Sequence, residues 1–134
     1  MFKLIKIINS GVNVPEPIRM PKASGTALKA GTLLTLSEGA LINCASTTAP
    51  KYVALADADA GKTEAVVAEI SHDMLFETPV TDFPEGLFIG AKVTLAIDSD
   101  GAAYAVTATT ASGVATIADL AGASAANDRI TVKF

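Results

Sequence analysis

The sequence predicts an all-β fold, a small barrel or sandwich of antiparallel hairpins with an extended N-terminal arm. Two stretches carry this prediction, because each begins with a glycine, continues as an apolar strand, reaches a turn and returns as a strand of small residues. The first spans residues 31–45 with its turn at 37–39, and the second spans residues 90–107 with its turn at 98–101. This order predicts a β-meander rather than a nucleotide-binding fold or a helical bundle.

The elements begin with a predicted strand over residues 2–8, in which lysines interrupt a run of apolar side chains. Residues 10–22 then hold three of the six prolines. Proline fixes φ, lacks a backbone donor and forces the preceding residue into extended geometry, so this stretch is neither a helix nor an interior strand. We therefore predict a strand and Pro-rich arm at residues 1–22, followed by a β-barrel-like domain at residues 23–134.

The apolar side chains of the arm require a surface to pack on. An extended segment with regularly placed apolar residues is suited to lying along another chain, where main-chain hydrogen bonds and side-chain anchors both contribute to binding. The alternative is that the arm packs back across its own domain, and the sequence leaves both open. The residues that we predict to contact the partner or a neighbouring subunit are Val12, Val14, Pro15, Pro17, Ile18, Met20 and Pro21.

Five further strands are predicted outside the two hairpins. They lie at residues 52–56, 64–70, 74–80, 114–118 and 128–134. Residues 64–70 fit both helical spacing and strand alternation, and the hairpins on either side favour a strand. Pro79 is predicted to mark a sheet edge or the end of its strand. Residues 120–127 are predicted to form one helical turn or a loop.

Composition and charge narrow the classes of function and partner that the sequence allows. The 134 residues suffice for one domain, but half of them are apolar with many alanines and no tryptophan, which predicts stabilisation through association with neighbours. The net charge is −4, with only 10 lysines and arginines, so neither nucleic acid nor a membrane surface is the expected partner. The apolar run at the N-terminus is too short for a signal peptide and is broken by Lys6.

Candidate catalytic and binding motifs are incomplete. The stretch 61–63 (Gly-Lys-Thr) resembles the end of a phosphate-binding loop, but Ala56 stands where that loop needs its first glycine. Asp98 and Asp100 resemble the start of a calcium loop whose later ligands are missing, so a turn with a bulge glycine is the better interpretation.

The single cysteine, Cys44, excludes an internal disulfide. Its apolar strand context predicts a small buried hydrophobe. A dyad with His72, the only histidine, is the alternative that would make this protein an enzyme. We expect no enzymatic activity, no cofactor and no metal.

The order of residues 29–36, 52–56, 64–70, 90–95 and 128–134 resembles that of bacteriophage head decoration, or capsid cement, proteins. The resemblance implies a small β-barrel-like domain behind an extended N-terminal segment, located on the outside of the mature shell. It also implies bridging of neighbouring capsomers, in many cases by trimers.

We therefore expect a structural virion protein that is synthesised in the host cytoplasm and binds the outer capsid surface. Its partner would be the major capsid protein, and a homo-oligomer is expected, with a trimer favoured. The alternatives are another phage structural component, such as a tail, baseplate or spike part, and a non-catalytic β-sandwich binding module.

Overall fold

The computed structural model describes residues 1–8, 14–82 and 85–134, and all regular secondary structure in these ranges is β-strand. The strands are β1 (Lys3–Ile7), β2 (Ile18–Pro21), β3 (Leu33–Ser37), β4 (Ala40–Asn43), β5 (Tyr52–Ala54), β6 (Glu64–Glu69), β7 (Met74–Pro79), β8 (Lys92–Val93), β9 (Leu95–Ile97), β10 (Ala103–Val106), β11 (Ala115–Asp119) and β12 (Arg129–Lys133).

Two five-stranded antiparallel sheets form a sandwich. The first sheet has the order β1-β7-β12-β11-β8, and the second has the order β2-β6-β5-β3-β4. The all-β prediction and its sandwich alternative are confirmed. The barrel alternative is wrong, because the two edge strands of each sheet do not pair with each other as strands. A single parallel bridge between Lys22 and Leu41 brings β2 close to β4 at one end.

The first predicted hairpin is confirmed as β3 and β4. Its two turn residues, Glu38 and Gly39, have φ values of 50° and 81°. Positive φ at both central positions is the geometry of the two-residue turn whose twist matches that of antiparallel strands. The turn therefore fixes the register in which Ser37 pairs with Ala40.

The second predicted hairpin is divided. The strand predicted from Gly90 to Ile97 changes partner at Thr94. Before this point, β8 pairs with β11 in the first sheet; after it, β9 pairs with β10 in a separate two-stranded sheet. The Thr94 N–H donates to the Thr109 carbonyl, and the next N–H, from Leu95, donates to Ser46. Because consecutive backbone N–H groups bond to different segments here, the predicted strand is divided between two sheets.

Other strand predictions agree with the structure. Residues 64–69 of the predicted strand 64–70 form β6, which confirms the strand interpretation over the helical one. Pro79 is the last residue of β7, and the C-terminal stretch forms β12. Residues 120–127 form turns, held by the Asp128 carboxylate, which accepts from the Ser124 and Ala125 N–H groups at 2.8 and 3.0 Å.

The second sheet has a core on each of its faces. Leu33, Val53 and Ala68 are cross-strand neighbours and face the first sheet, forming the larger core with its side chains. The adjoining residues Leu34 and Ala54 point the other way, as strand alternation requires. The smaller core on that outer face contains Leu28, Leu34, Leu41, Ala54, Ala58, Ala65 and Val67.

Candidate interaction surface

The described part of the arm is extended and leads into an edge strand. Val12 lies outside the described residues, so its predicted contact is not placed. Val14 is 73% exposed, the largest exposed fraction among the large apolar side chains that the structure describes. Pro15 is half-buried and Pro17 is exposed. Val14, with the two prolines that follow it, is therefore an apolar surface that is largely open to solvent.

Strand β2 divides the remaining arm residues between two environments. Met20 is half-buried and packs against the smaller core, while Ile18 on the same face is 38% exposed. Arg19 and Pro21 are both exposed. Met20 therefore packs back onto its own domain, which is the second of the two arrangements considered for the arm. The predicted contact residues that are exposed are Val14, Pro17, Ile18 and Pro21.

The backbone of β2 offers little to a further strand. The Lys22 N–H donates to Thr63 at 2.9 Å, so in this antiparallel pair alternate residues direct their N–H groups toward β6 and those between direct them away. Arg19 and Pro21 are the outward positions within β2, and Pro21 has no N–H to donate. Arg19 is then the one outward N–H donor within β2, and an edge with so few donors favours strand addition little, so a partner would meet this edge mainly through side chains.

Lys22 fixes the end of the arm. It is 6% exposed, and its Nζ donates to the Thr26 carbonyl at 2.5 Å and to the Ala23 carbonyl at 3.2 Å. A buried ammonium requires such acceptors, because burial without hydrogen bonds is costly. The start of the domain is therefore held in place at the point where the arm joins it.

A second apolar feature was not predicted from the sequence. Phe88 and Ile89 are 65% and 63% exposed, and they form a turn just before β8. The predicted strands do not include residues 87–89, which precede the second hairpin. The available signal was that these bulky residues precede Gly90 directly, without the alternation of a half-buried strand.

Cys44 is a core side chain, as predicted. It is 1% exposed within the larger core, and burial raises the pKa of its thiol to about 12. The thiolate is the nucleophilic form of cysteine, so this thiol is protonated at neutral pH and inert. His72, the other member of the candidate dyad, is exposed in a turn.

The phosphate-loop and calcium-loop candidates are turns. Residues 61–63 lead into strand β6, whereas a phosphate-binding loop leads into a helix whose N-terminus holds the anion. Asp98 Oδ1 accepts from the Asp100 and Ala102 N–H groups, both at 2.9 Å, and Gly101 has a φ of 79°. Across residues 1–8, 14–82 and 85–134, no three acidic, histidine or cysteine side chains cluster as metal ligands would.

The fold is similar to that of a phage head protein. The N base of the head fiber protein gp8.5 of bacteriophage phi29 matches with a TM-score of 0.53 and 17% sequence identity, over 89% of this chain and 94% of that one. No protein-family model matches the chain, and no curated protein matches it. The likeness shows that this chain shares the fold of a head fiber base. Within the described residues, no helix is long and apolar enough to cross a membrane.

Proposed function

We propose that this protein is a structural component of a phage virion that binds the exterior of the capsid and bridges neighbouring capsomers. The observation that carries the proposal is the shared fold with a phage head fiber base, which extends over nearly the whole of both chains. The resemblance of the strand order to capsid decoration proteins supports it independently.

The arm is the proposed contact with the major capsid protein. Val14 and Ile18 are exposed apolar side chains close together in sequence, and the prolines around them limit the conformations of the free arm. A segment that is restricted before binding loses less conformational entropy when it docks. Each contact is small, but copies that associate with one another present several arms to the shell, which raises the effective concentration of every arm.

The proposed role requires no chemistry at a reaction centre, and we propose that the protein is not an enzyme. A reinforced shell requires many repeated contacts. The buried Cys44 and the turns at residues 61–63 and 98–101 are consistent with that role. We further propose a homo-oligomer, with a trimer favoured, and no nucleic-acid or membrane partner.

The arm is best tested by point substitution. Truncation of residues 1–22 would remove β1 and β2, which pair with β7 and β6 respectively. It would also remove the buried side chain of Phe2. Val14→Ser combined with Ile18→Ser should reduce binding to undecorated capsids by about tenfold or more, because truncated anchor residues dominate losses of affinity. Pelleting of purified protein with capsids measures this loss.

Ile97→Ser is the matched control for the arm variant, since Ile97 is an exposed apolar side chain on β9, outside the arm. It should bind as the unmodified protein does. If the arm variant is folded and still binds capsids with unchanged affinity, the arm is not the attachment site.

A second candidate is the base of an appendage on the phage head. It is favoured by the structural neighbour, which is itself a head fiber base. A cement protein strengthens the shell, whereas an appendage base holds a further protein on it, so the heat resistance of particles with and without this chain separates the two.

A further inference from the structure

The turn before β8 presents two large apolar side chains to solvent in a fixed geometry. The Ala91 N–H donates to the Phe88 carbonyl at 3.0 Å, and the Gly90 N–H donates to the Ile117 carbonyl at 2.8 Å. Leu87, just before the turn, packs against the larger core. Phe88 and Ile89, here called the apolar turn, are therefore held outward by the structure around them. Two large apolar side chains that adjoin at the surface are a candidate for an interaction site.

An open groove with a volume of about 430 Å³ lies on the other side of the molecule, where β1 passes β5. That volume falls within the range of sites that accept compact apolar groups. Its walls combine apolar side chains with two cationic ones. The residues that matter here are Phe2, Leu4, Val53 and Leu55 on the walls and Lys3 and Arg129 at the rim. This surface is called the apolar groove below.

The apolar turn cannot fill the groove of its own chain. The turn precedes β8, which is one edge of the first sheet, and the groove borders β1, which is the opposite edge. Four strand spacings of about 4.8 Å separate these edges, a distance of about 19 Å. Because the turn is tied to β11 by the bond from Gly90 to Ile117, only another molecule can occupy the groove with such a turn.

The charges around the two surfaces are complementary. Lys3 is exposed at the groove and has no ion-pair partner among the described residues, while Arg129 is paired with Glu77 at 2.9 Å. Near the apolar turn, Glu85 precedes it in sequence and Asp119 follows on β11, both of them exposed. Lys92 on β8 is the nearest cation in sequence to the turn. The two carboxylates and one lysine near the turn carry a net negative charge, which is opposite in sign to the unpaired Lys3 at the groove.

We propose that the apolar turn of one copy docks in the apolar groove of the next. Such an interface is heterologous, since different patches meet, and it closes into a ring when the rotation between copies allows. Each copy has both patches on opposite edges, so it can engage two neighbours at once. The inference rests on the self-association part of the proposed function and is independent of any contact with the shell.

The test is sedimentation velocity of the purified protein over a concentration series. The unmodified chain should form one discrete oligomer, and the variant carrying Phe88→Ser and Ile89→Ser should sediment as a monomer, with a dissociation constant raised at least tenfold. Lys3→Glu and Glu85→Lys should each weaken assembly by about tenfold through repulsion between like charges. The double variant that carries both should regain the oligomer, because the charges are exchanged across the interface.

The charge exchange also shows whether a variant lost assembly because it misfolded, since only folded chains can regain assembly. Ile97→Ser is the matched control, an exposed apolar residue on β9 that belongs to neither surface, and it should leave the oligomer unchanged. The proposal is overturned if the unmodified chain stays monomeric, if the variant at 88 and 89 still assembles, or if the charge exchange does not restore assembly. Capsid binding is measured separately, so either proposal can fail without the other.

Discussion

The larger core and the arm contain the same kinds of side chain in opposite environments. Val132 in the core is fully buried, whereas Val14 on the arm is 73% exposed. The buried valine contributes to stability by leaving water, and the exposed one contributes nothing until a partner covers it. If the arm is the attachment site, as proposed, then folding and attachment depend on separate sets of apolar residues, and mutation can address them one at a time.

The largest expected effect is that of Phe76→Ala in the larger core. Phe76 is fully buried and its ring contacts that of Phe134, with the centroids 5.6 Å apart. Removal of a buried phenylalanine leaves a cavity and should lower the free energy of unfolding by about 3–5 kcal/mol. Denaturant titration followed by circular dichroism measures this loss. A loss below about 1 kcal/mol would show that the core is not packed as described.

The two valines provide the most direct comparison of the regions. Val132→Ala should lower the free energy of unfolding by roughly 1.5–3 kcal/mol, because the buried side chain loses most of its apolar surface. Val14→Ala should change it by less than about 0.5 kcal/mol, as substitutions at exposed positions usually do. The same denaturant titration serves for both variants. Equal losses would contradict the separation of folding from attachment.

Met20 lies between the two regions and sharpens the comparison. It belongs to the arm in sequence, yet it packs half-buried against the smaller core. Met20→Ala should lower the free energy of unfolding by about 1–2 kcal/mol, less than the 2–5 kcal/mol of a fully buried methionine. Arg19→Ala, at the neighbouring exposed position, is the control and should have almost no effect. A negligible loss for Met20→Ala would show that this residue does not pack on the smaller core as described.

The smallest effect is pH-dependent and concerns the loop before β12. Hydrogen bonds from the Ser124 and Ala125 N–H groups lower the pKa of Asp128 below its ordinary value of 3.8. A lowered pKa in the folded state stabilises the fold above the ordinary pKa, and this contribution is lost as the pH falls through the folded-state value. Asp128→Asn should therefore reduce Tm at neutral pH, and the difference from the unmodified protein should shrink in acid.

Asp100→Asn is the control for Asp128, because the Asp100 carboxylate accepts no backbone hydrogen bond among the described residues. Its Tm should follow that of the unmodified protein throughout the pH range. A constant Tm difference for Asp128→Asn from neutral to strongly acidic pH would mean that the charged carboxylate is not what holds the loop.

Features that depend on neighbouring residues could be predicted from the sequence. The turn at Glu38 and Gly39 requires positive φ, and glycine at its second position indicates a tight hairpin. Strand β6 was ambiguous by spacing alone, and the hairpins around it decided the prediction correctly. The exposure of Val14 also agrees with an extended, proline-flanked arm.

Features that depend on distant pairing could not be predicted. The change of partner at Thr94 follows from bonds to Ser46 and Thr109, and no local pattern encodes it. The smaller core arises because adjoining residues such as Leu33 and Leu34 are buried on opposite faces of one sheet. In the sequence, such a strand shows only a continuous apolar run, without the alternation that would separate its two faces. The groove that borders β1 and β5 joins residues about 50 positions apart in the chain, and only the folded structure brings them together.

The most direct test of the proposed function is the copy number of this chain in purified phage particles, measured by quantitative mass spectrometry against the major shell protein. A protein that bridges capsomers over the whole lattice should be present in a ratio close to that of the shell protein. A few copies per particle, or none, would contradict the capsid-reinforcing role.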